Sequence, residues 1–329
     1  MPVHDTPLLI ALTWALSLAL ALSVAVLIAD YAVPCRAARG WLRLERALAG
    51  LAEREARVDQ FTLPYLQGGR GETLVLVHGF GGDKDNFTRL TRHLTPQLRV
   101  IVPDLPGFGA ASRDPAASYR IDVQVARLRS FLMGLGLERC HLGGNSMGGF
   151  ITAQYAATYP DAVQSLWLLD AAGCAAAYDN AIGRRYLASG EVPLLVRSPA
   201  DFAALYAAAM QHAPWLPHSL RHELAHRAVA DFALHTRIFR EFARESPTLE
   251  DRYAAIRAPT LIVWGREDRM LSPAAAPVMA ALIPRNEVIV MPDTGHLPML
   301  ERPRATANAY LCFLAAWGYG RKSRIATKR

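Results

Sequence analysis

The chain has 329 residues, 52% of them hydrophobic, and a formal charge of +7, with a mean hydropathy of +0.11. The hydropathy excess sits in one stretch, Leu8–Ala29, and five positive charges sit in a C-terminal tail: Arg321, Lys322, Arg324, Lys328 and Arg329. Such a composition excludes a polytopic membrane protein, a disordered chain and a disulfide-stapled mini-domain; with no basic stripe among aromatics in the body, it also excludes a nucleic-acid surface.

The first element is Leu8–Ala29, 22 uncharged residues with only Thr13, Ser17 and Ser23 polar. As an α-helix it reaches about 33 Å, enough to cross a bilayer core. Residues 1–7 hold no Lys or Arg, so residues 1–29 read as an uncleaved anchor rather than a signal peptide with a basic leader. Small residues at Ala11, Ala15, Ala19 and Ser23 let two such helices approach closely, which permits a homodimer. Residues 30–57 read as a second, amphipathic helix. Trp41, Leu44, Leu48 and Leu51 share one face, with Arg39, Arg43, Arg46 and Arg54 off it. Two placements stay open for it: among lipid head groups or packed on the domain that follows. The Arg cluster after the span favours a cytoplasmic domain by the positive-inside rule.

The body divides into 58–173, 174–250 and 251–320. Its β-rich runs are Thr73–Val77, Val100–Val102, Cys140–Leu142, Ser165–Leu169, Thr260–Trp264 and Glu287–Met291, separated by helix-like stretches. Apolar runs of this kind predict an α/β domain with a mostly parallel sheet. Chemistry-bearing residues follow the strand ends. His78-Gly79-Phe80-Gly81-Gly82 follows the first run, where His78 reads as a turn residue and Asp104, in the next turn, as structural. Gly144-Asn145-Ser146-Met147-Gly148 stands between a strand and a helix-like run, the setting of a nucleophile elbow. The backbone N–H groups of Phe80 and Met147 are then placed to form an oxyanion hole.

Asp170 follows the Ser165–Leu169 run and is a second candidate for the acid. Over 174–250 the strand signals stop, and Pro193, Pro199, Pro214 and Pro217 break a helical insertion, or lid. Within it, His222-Glu223-Leu224-Ala225-His226 matches a zinc-protease pattern, with Glu241 or Glu245 as a third ligand. Five histidines lie between 212 and 235, so a chance match is easy, and the segment is remote from the strand ends. No metal is assigned to it. Cys35, Cys140, Cys174 and Cys312 show no metal-binding spacing. Asp268 follows the Thr260–Trp264 run, and His296 follows Glu287–Met291. Serine, acid and histidine in that order form a hydrolase triad. Ser146 is the nucleophile, His296 its base, and Asp268 the residue that holds the imidazole tautomer. No metal or organic cofactor is required.

The segments HGFGG (78–82), PDLPGFG (103–109), GNSMGG (144–149), WGREDRML (264–271) and TGHLPMLERPRATA (294–307) resemble the α/β-hydrolase family over about 58–320. The chain is similar in particular to membrane-anchored monoacylglycerol lipases and bacterial membrane-bound phospholipases A. The resemblance implies hydrolysis of fatty-acyl esters under a helical lid. For the phospholipases it further implies homodimers in the bacterial inner membrane, with the catalytic domain on the periplasmic side. Large domains translocate despite flanking charge, so the periplasmic side is the expectation adopted. A C–C bond hydrolase of aromatic-ring degradation carries a similar elbow, but those enzymes are soluble. A receptor or scaffold on the same fold would lack a triad member, and here all three are present. The expected protein is a membrane-anchored serine ester hydrolase acting on lipids, with the lipid class left open.

Overall fold

The computed structural model describes residues 6–244 and 248–319. Its first half runs α1 (Thr6–Ala32), α2 (Pro34–Leu48), β1 (Leu51–Val58), β2 (Phe61–Gly68), β3 (Thr73–Val77), α3 (Thr88–Thr91), β4 (Arg99–Pro103), α4 (Ile121–Gly134), β5 (Cys140–Asn145), α5 (Met147–Thr158) and β6 (Val163–Leu169). There follow α6 (Ala181–Ser189), α7 (Pro199–Ala209), α8 (His218–Ala230), α9 (Phe232–Arg244), α10 (Glu250–Tyr253), β7 (Thr260–Gly265), α11 (Ala275–Leu282), β8 (Asn286–Met291), α12 (Pro298–Glu301) and α13 (Pro303–Ala316).

The strands form one sheet in the order β1-β2-β4-β3-β5-β6-β7-β8. From β4 to β8 every pairing is parallel, and β1 and β2 are added antiparallel. Successive side chains of a strand point to opposite faces. In β3, Val75 and Val77 enter a core with α4, α5 and α11, while Leu74 and Leu76 enter a second core with α3 and α13. This two-sided burial is why the central strands read as unbroken apolar runs. On the second face Trp167 of β6 lies flat on Tyr310 of α13, with centroids 4.2 Å apart. Each such buried side chain contributes about 1.5–3 kcal/mol.

The amphipathic helix expected over 30–57 is corrected by the structure. It ends at Leu48, and residues 51–58 are the edge strand β1, paired with β2 from Leu51↔Gly68 to Val58↔Phe61. Gly50, at φ +67, stops the helix in the left-handed conformation favoured just past a C-cap. Glu53, Arg54 and Glu55 are exposed. An edge strand that carries charge to discourage further pairing has the composition of a helix surface, which hid it.

α2 takes the second of the two placements left open: it packs on α8 and β1. Trp41 meets Trp215 edge-on, and Glu45 pairs with Arg89 at 2.7 Å; Leu44 and Leu48 stay exposed. α1 is apolar and exposed along its length until Asp30, which is buried. The Asp30 carboxylate accepts hydrogen bonds from the backbone N–H groups of His218 (2.8 Å) and Ser219 (3.3 Å), the Ser219 hydroxyl and Trp41 Nε1 (3.2 Å). The residue before α8 is Pro217, which offers no side-chain cap. Asp30 therefore caps α8 from the end of α1. Tyr31 stacks on His218 beside it, 4.2 Å between centroids. The basic tail from residue 321 lies outside the described residues.

Candidate active site

β5 ends in a turn that brings Ser146 to φ +55 and ψ −120, a strained conformation for a residue with a side chain. Three bonds fix it: its N–H donates to Leu169 O (3.0 Å), and its carbonyl accepts from Phe150 and Ala172 (3.0 Å each). The turn needs its glycines. A Cβ on Gly148 would stand 2.1 Å from Val77 O, and one on Gly79 would stand 3.1 Å from Ser146 Cβ. The HGFGG loop is therefore pressed against the serine. Phe80, Ser146, Met147 and His296 line one cavity.

Asp268 and His296 come from the ends of β7 and β8. Asp268 Oδ1 accepts the N–H groups of Met270 (2.7 Å) and Leu271 (3.0 Å), and Oδ2 is 2.8 Å from His296 Nδ1. With the proton on Nδ1, Nε2 is left as a base. Asp170, the second candidate acid, does not hold the imidazole. Its Oδ1 accepts Gly265 N–H at 2.8 Å, and burial, then the charge of Asp268, pushes its carboxyl well above the usual carboxylate range.

Two supporting residues escaped sequence reasoning. Asn145 Nδ2 donates to Leu169 O and to His296 O, 3.1 Å each, tying elbow to histidine loop. Glu301 accepts Gly295 N–H with one oxygen and the Gln211 and His212 N–H groups with the other, all at 2.8 Å. It thus joins the histidine loop to the lid. Both lie inside quoted motifs, but what they bond to is distant in sequence. His78 is the turn residue expected: Nε2 accepts from Leu105 N–H (3.0 Å) and Nδ1 faces Gly79 O (2.8 Å). Burial lowers its pKa despite nearby Asp104. Asp104 is structural, pairing with Lys84 at 2.8 Å.

The His222 and His226 rings stack 4.1 Å apart, and Glu241 accepts instead from Tyr119 N–H at 2.6 Å. Glu245 lies outside the described residues. Among the described residues one trio of ligand atoms converges, from Asp170, Asp268 and His296, and Asp268 and His296 already engage each other through Oδ2 and Nδ1.

Two chambers meet at Ser146, His296, Phe80, Leu194 and Met270. The larger, about 370 Å³, runs under the lid between Ile182, Tyr186, Phe239 and Phe242. The smaller, about 190 Å³, runs toward Leu42 and Glu45 of α2 and Leu220 and Leu224 of α8. A strained serine, an acid-oriented histidine and apolar walls suit attack on the carbonyl of an apolar substrate.

Residues 72–303 match the family described as the alpha/beta hydrolase fold. The chain belongs to the α/β-hydrolase family. This α/β-hydrolase is 40% identical over 248 residues to Lipase 3 of Moraxella sp. (strain TA144), covering 74% of this chain and 77% of that one. It is 28% identical over 284 residues to the monoacylglycerol lipase ABHD6 of Bos taurus, covering 82% and 84%. Among solved structures it is similar to a bacterial membrane phospholipase A, with a TM-score of 0.84 and 42% identity over 92% of this chain and 98% of that one.

Proposed function

We propose that this α/β-hydrolase cleaves fatty-acyl esters of membrane lipids through an acyl-enzyme on Ser146. The observation that carries the reading is the Asp268–His296 hydrogen bond beside an apolar, two-armed cavity that Ser146 and His296 both line. Ser146 Oγ attacks the ester carbonyl as His296 Nε2 takes its proton, and the backbone N–H groups of Phe80 and Met147 receive the oxyanion. The tetrahedral intermediate expels the alcohol, which leaves with that proton. Water then attacks the acyl-enzyme, again losing a proton to His296, and the fatty acid departs as Ser146 is restored. Asp268 keeps the Nδ1 proton in place and stabilises the imidazolium. The names of the relatives, lipases and a phospholipase A, support a lipid substrate.

The test is fatty-acid release by the full chain from monoacylglycerol, lysophospholipid and diacyl phospholipid, beside Ser146→Ala. Turnover of at least one lipid, abolished in the variant, is expected, together with fluorophosphonate labelling that the variant loses. Turnover confined to short soluble esters would remove the lipid reading, and no labelling of folded protein would remove the serine mechanism.

The exposed apolar helix α1 supports a single membrane span. The periplasmic placement is compatible with the Arg residues that follow the span, because large domains translocate largely regardless of flanking charge. Exposed Cys312 tests it: an impermeant maleimide on intact cells labels a periplasmic Cys312 and spares a cytoplasmic one. The small-residue stripe supports a homodimer through α1, tested by cross-linking in membranes.

A further inference from the structure

Asp170 is a buried carboxyl at the triad for which the reaction above has no task. It follows β6 at φ +44 with no exposed surface. Its N–H donates to Val263 O (2.9 Å) and its Oδ1 accepts Gly265 N–H, which bolts it to β7, the strand that delivers Asp268. Its second oxygen, Oδ2, is buried and accepts no hydrogen bond from any group among the described residues. A ligand atom of Asp170, one of Asp268 and one of His296 all lie within 4.8 Å of one another. Among the described residues Asp268, His296 and Glu301 face Asp170, and the charges of Asp268 and Glu301 oppose its ionisation.

Two buried carboxyls this close do not both ionise. Asp268 accepts three hydrogen bonds, from Met270 N–H, Leu271 N–H and His296 Nδ1, and is the one held as the carboxylate. Asp170 has a single donor, and burial and Asp268 both oppose its charge. The proton therefore belongs on Asp170, and it turns the unpartnered Oδ2 from a frustrated acceptor into a donor.

We infer that Asp170 is a positioning residue: as the neutral acid it donates a hydrogen bond from Oδ2 to the Asp268 carboxylate, fixing the group that orients His296. This inference rests on the triad reading above. The added donor draws negative charge away from the face of Asp268 that meets the imidazole.

The test uses the full chain on a soluble nitrophenyl ester, with kcat and kcat/KM followed from pH 5 to 9. Asp170→Asn keeps a neutral side chain, an acceptor for Gly265 and an N–H donor for Asp268. It is expected to hold kcat within about threefold and leave the acid limb of kcat/KM in place. Asp170→Ala, checked for native circular dichroism, is expected to lose tenfold or more in kcat and to move the acid limb to higher pH. Three results overturn the inference: Asp170→Asn as inactive as Asp268→Asn, an unmoved acid limb in folded Asp170→Ala, or loss of wild-type activity on chelation, which would put a cation between the carboxyls. Ser146→Ala retaining activity would instead reject the triad reading itself.

Discussion

Ser146 is the position in the GNSMG turn where backbone geometry and side-chain preference conflict, and the surrounding bonds hold that conflict in place. At this scale the clearest expectation concerns Asp268. Asp268→Asn keeps shape but presents an N–H where His296 Nδ1 needs an acceptor, so kcat should fall by about 10⁴ with KM little changed. Steady-state kinetics on one ester checks it, and loss in KM alone would mean the side chain merely shapes the pocket. A second expectation concerns stability. His78 and His141 are buried and neutral, with pKa values lowered chiefly by burial. In the unfolded chain they titrate near 6.5, so below that pH the unfolded state binds protons the folded state refuses. Their contribution is complete above about pH 6.5 and declines as pH falls toward their folded values. The urea midpoint should therefore drop between pH 7.5 and 5, and His141→Gln should flatten that slope. The strand ends that carry Ser146, Asp268 and His296 were legible because β5, β7 and β8 each read as apolar runs. Asn145 and Glu301 were not, because a side chain that bonds a backbone atom 151 residues away, as Asn145 does with His296 O, leaves no local pattern.

At the scale of elements, the turn between β5 and α5 works only at close range. Gly148→Ala would raise helix propensity by about 1 kcal/mol in an unconstrained helix, but here the new methyl meets Val77 O at 2.1 Å. The variant should be less stable than the parent and lose fluorophosphonate labelling; an active, stabilised Gly148→Ala would mean that the turn opens freely. The start of α8 is governed from farther away. Removing its remote cap with Asp30→Ala should cost about 0.5–2 kcal/mol. Amide exchange should quicken over residues 218–221, while β5 to β7 stay protected. The parallel strands were readable because both faces are buried, whereas β1, exposed and charged along most of its length, offered the same letters as a solvated helix. Only its pairing with β2 distinguishes the two.

For the whole molecule, a membrane span through α1, as proposed above, would divide two properties that a soluble esterase keeps together. A chain lacking residues 1–29 retains Asp30, Tyr31 and α2, and should hydrolyse a soluble ester at close to the full rate. Its turnover of phospholipid in vesicles should fall severalfold or more, because lipid must then reach a freely diffusing enzyme. Equal vesicle activity for the two forms would deny the span any part in substrate supply. Starting instead at residue 34 also removes the Asp30 carboxylate and the Tyr31 ring from α8, so that form should melt lower than the first. The clasp of Asp30 on α8 has a consequence for encounter. A slack linker would let the domain tumble about its tether and meet the bilayer in every orientation. Here one bend at Val33 joins α1 to α2, and α8, which borders the smaller chamber, is bolted to the last turn of α1. With α1 in a bilayer, rotational freedom would be surrendered once, at folding, and not lost again each time a lipid arrives.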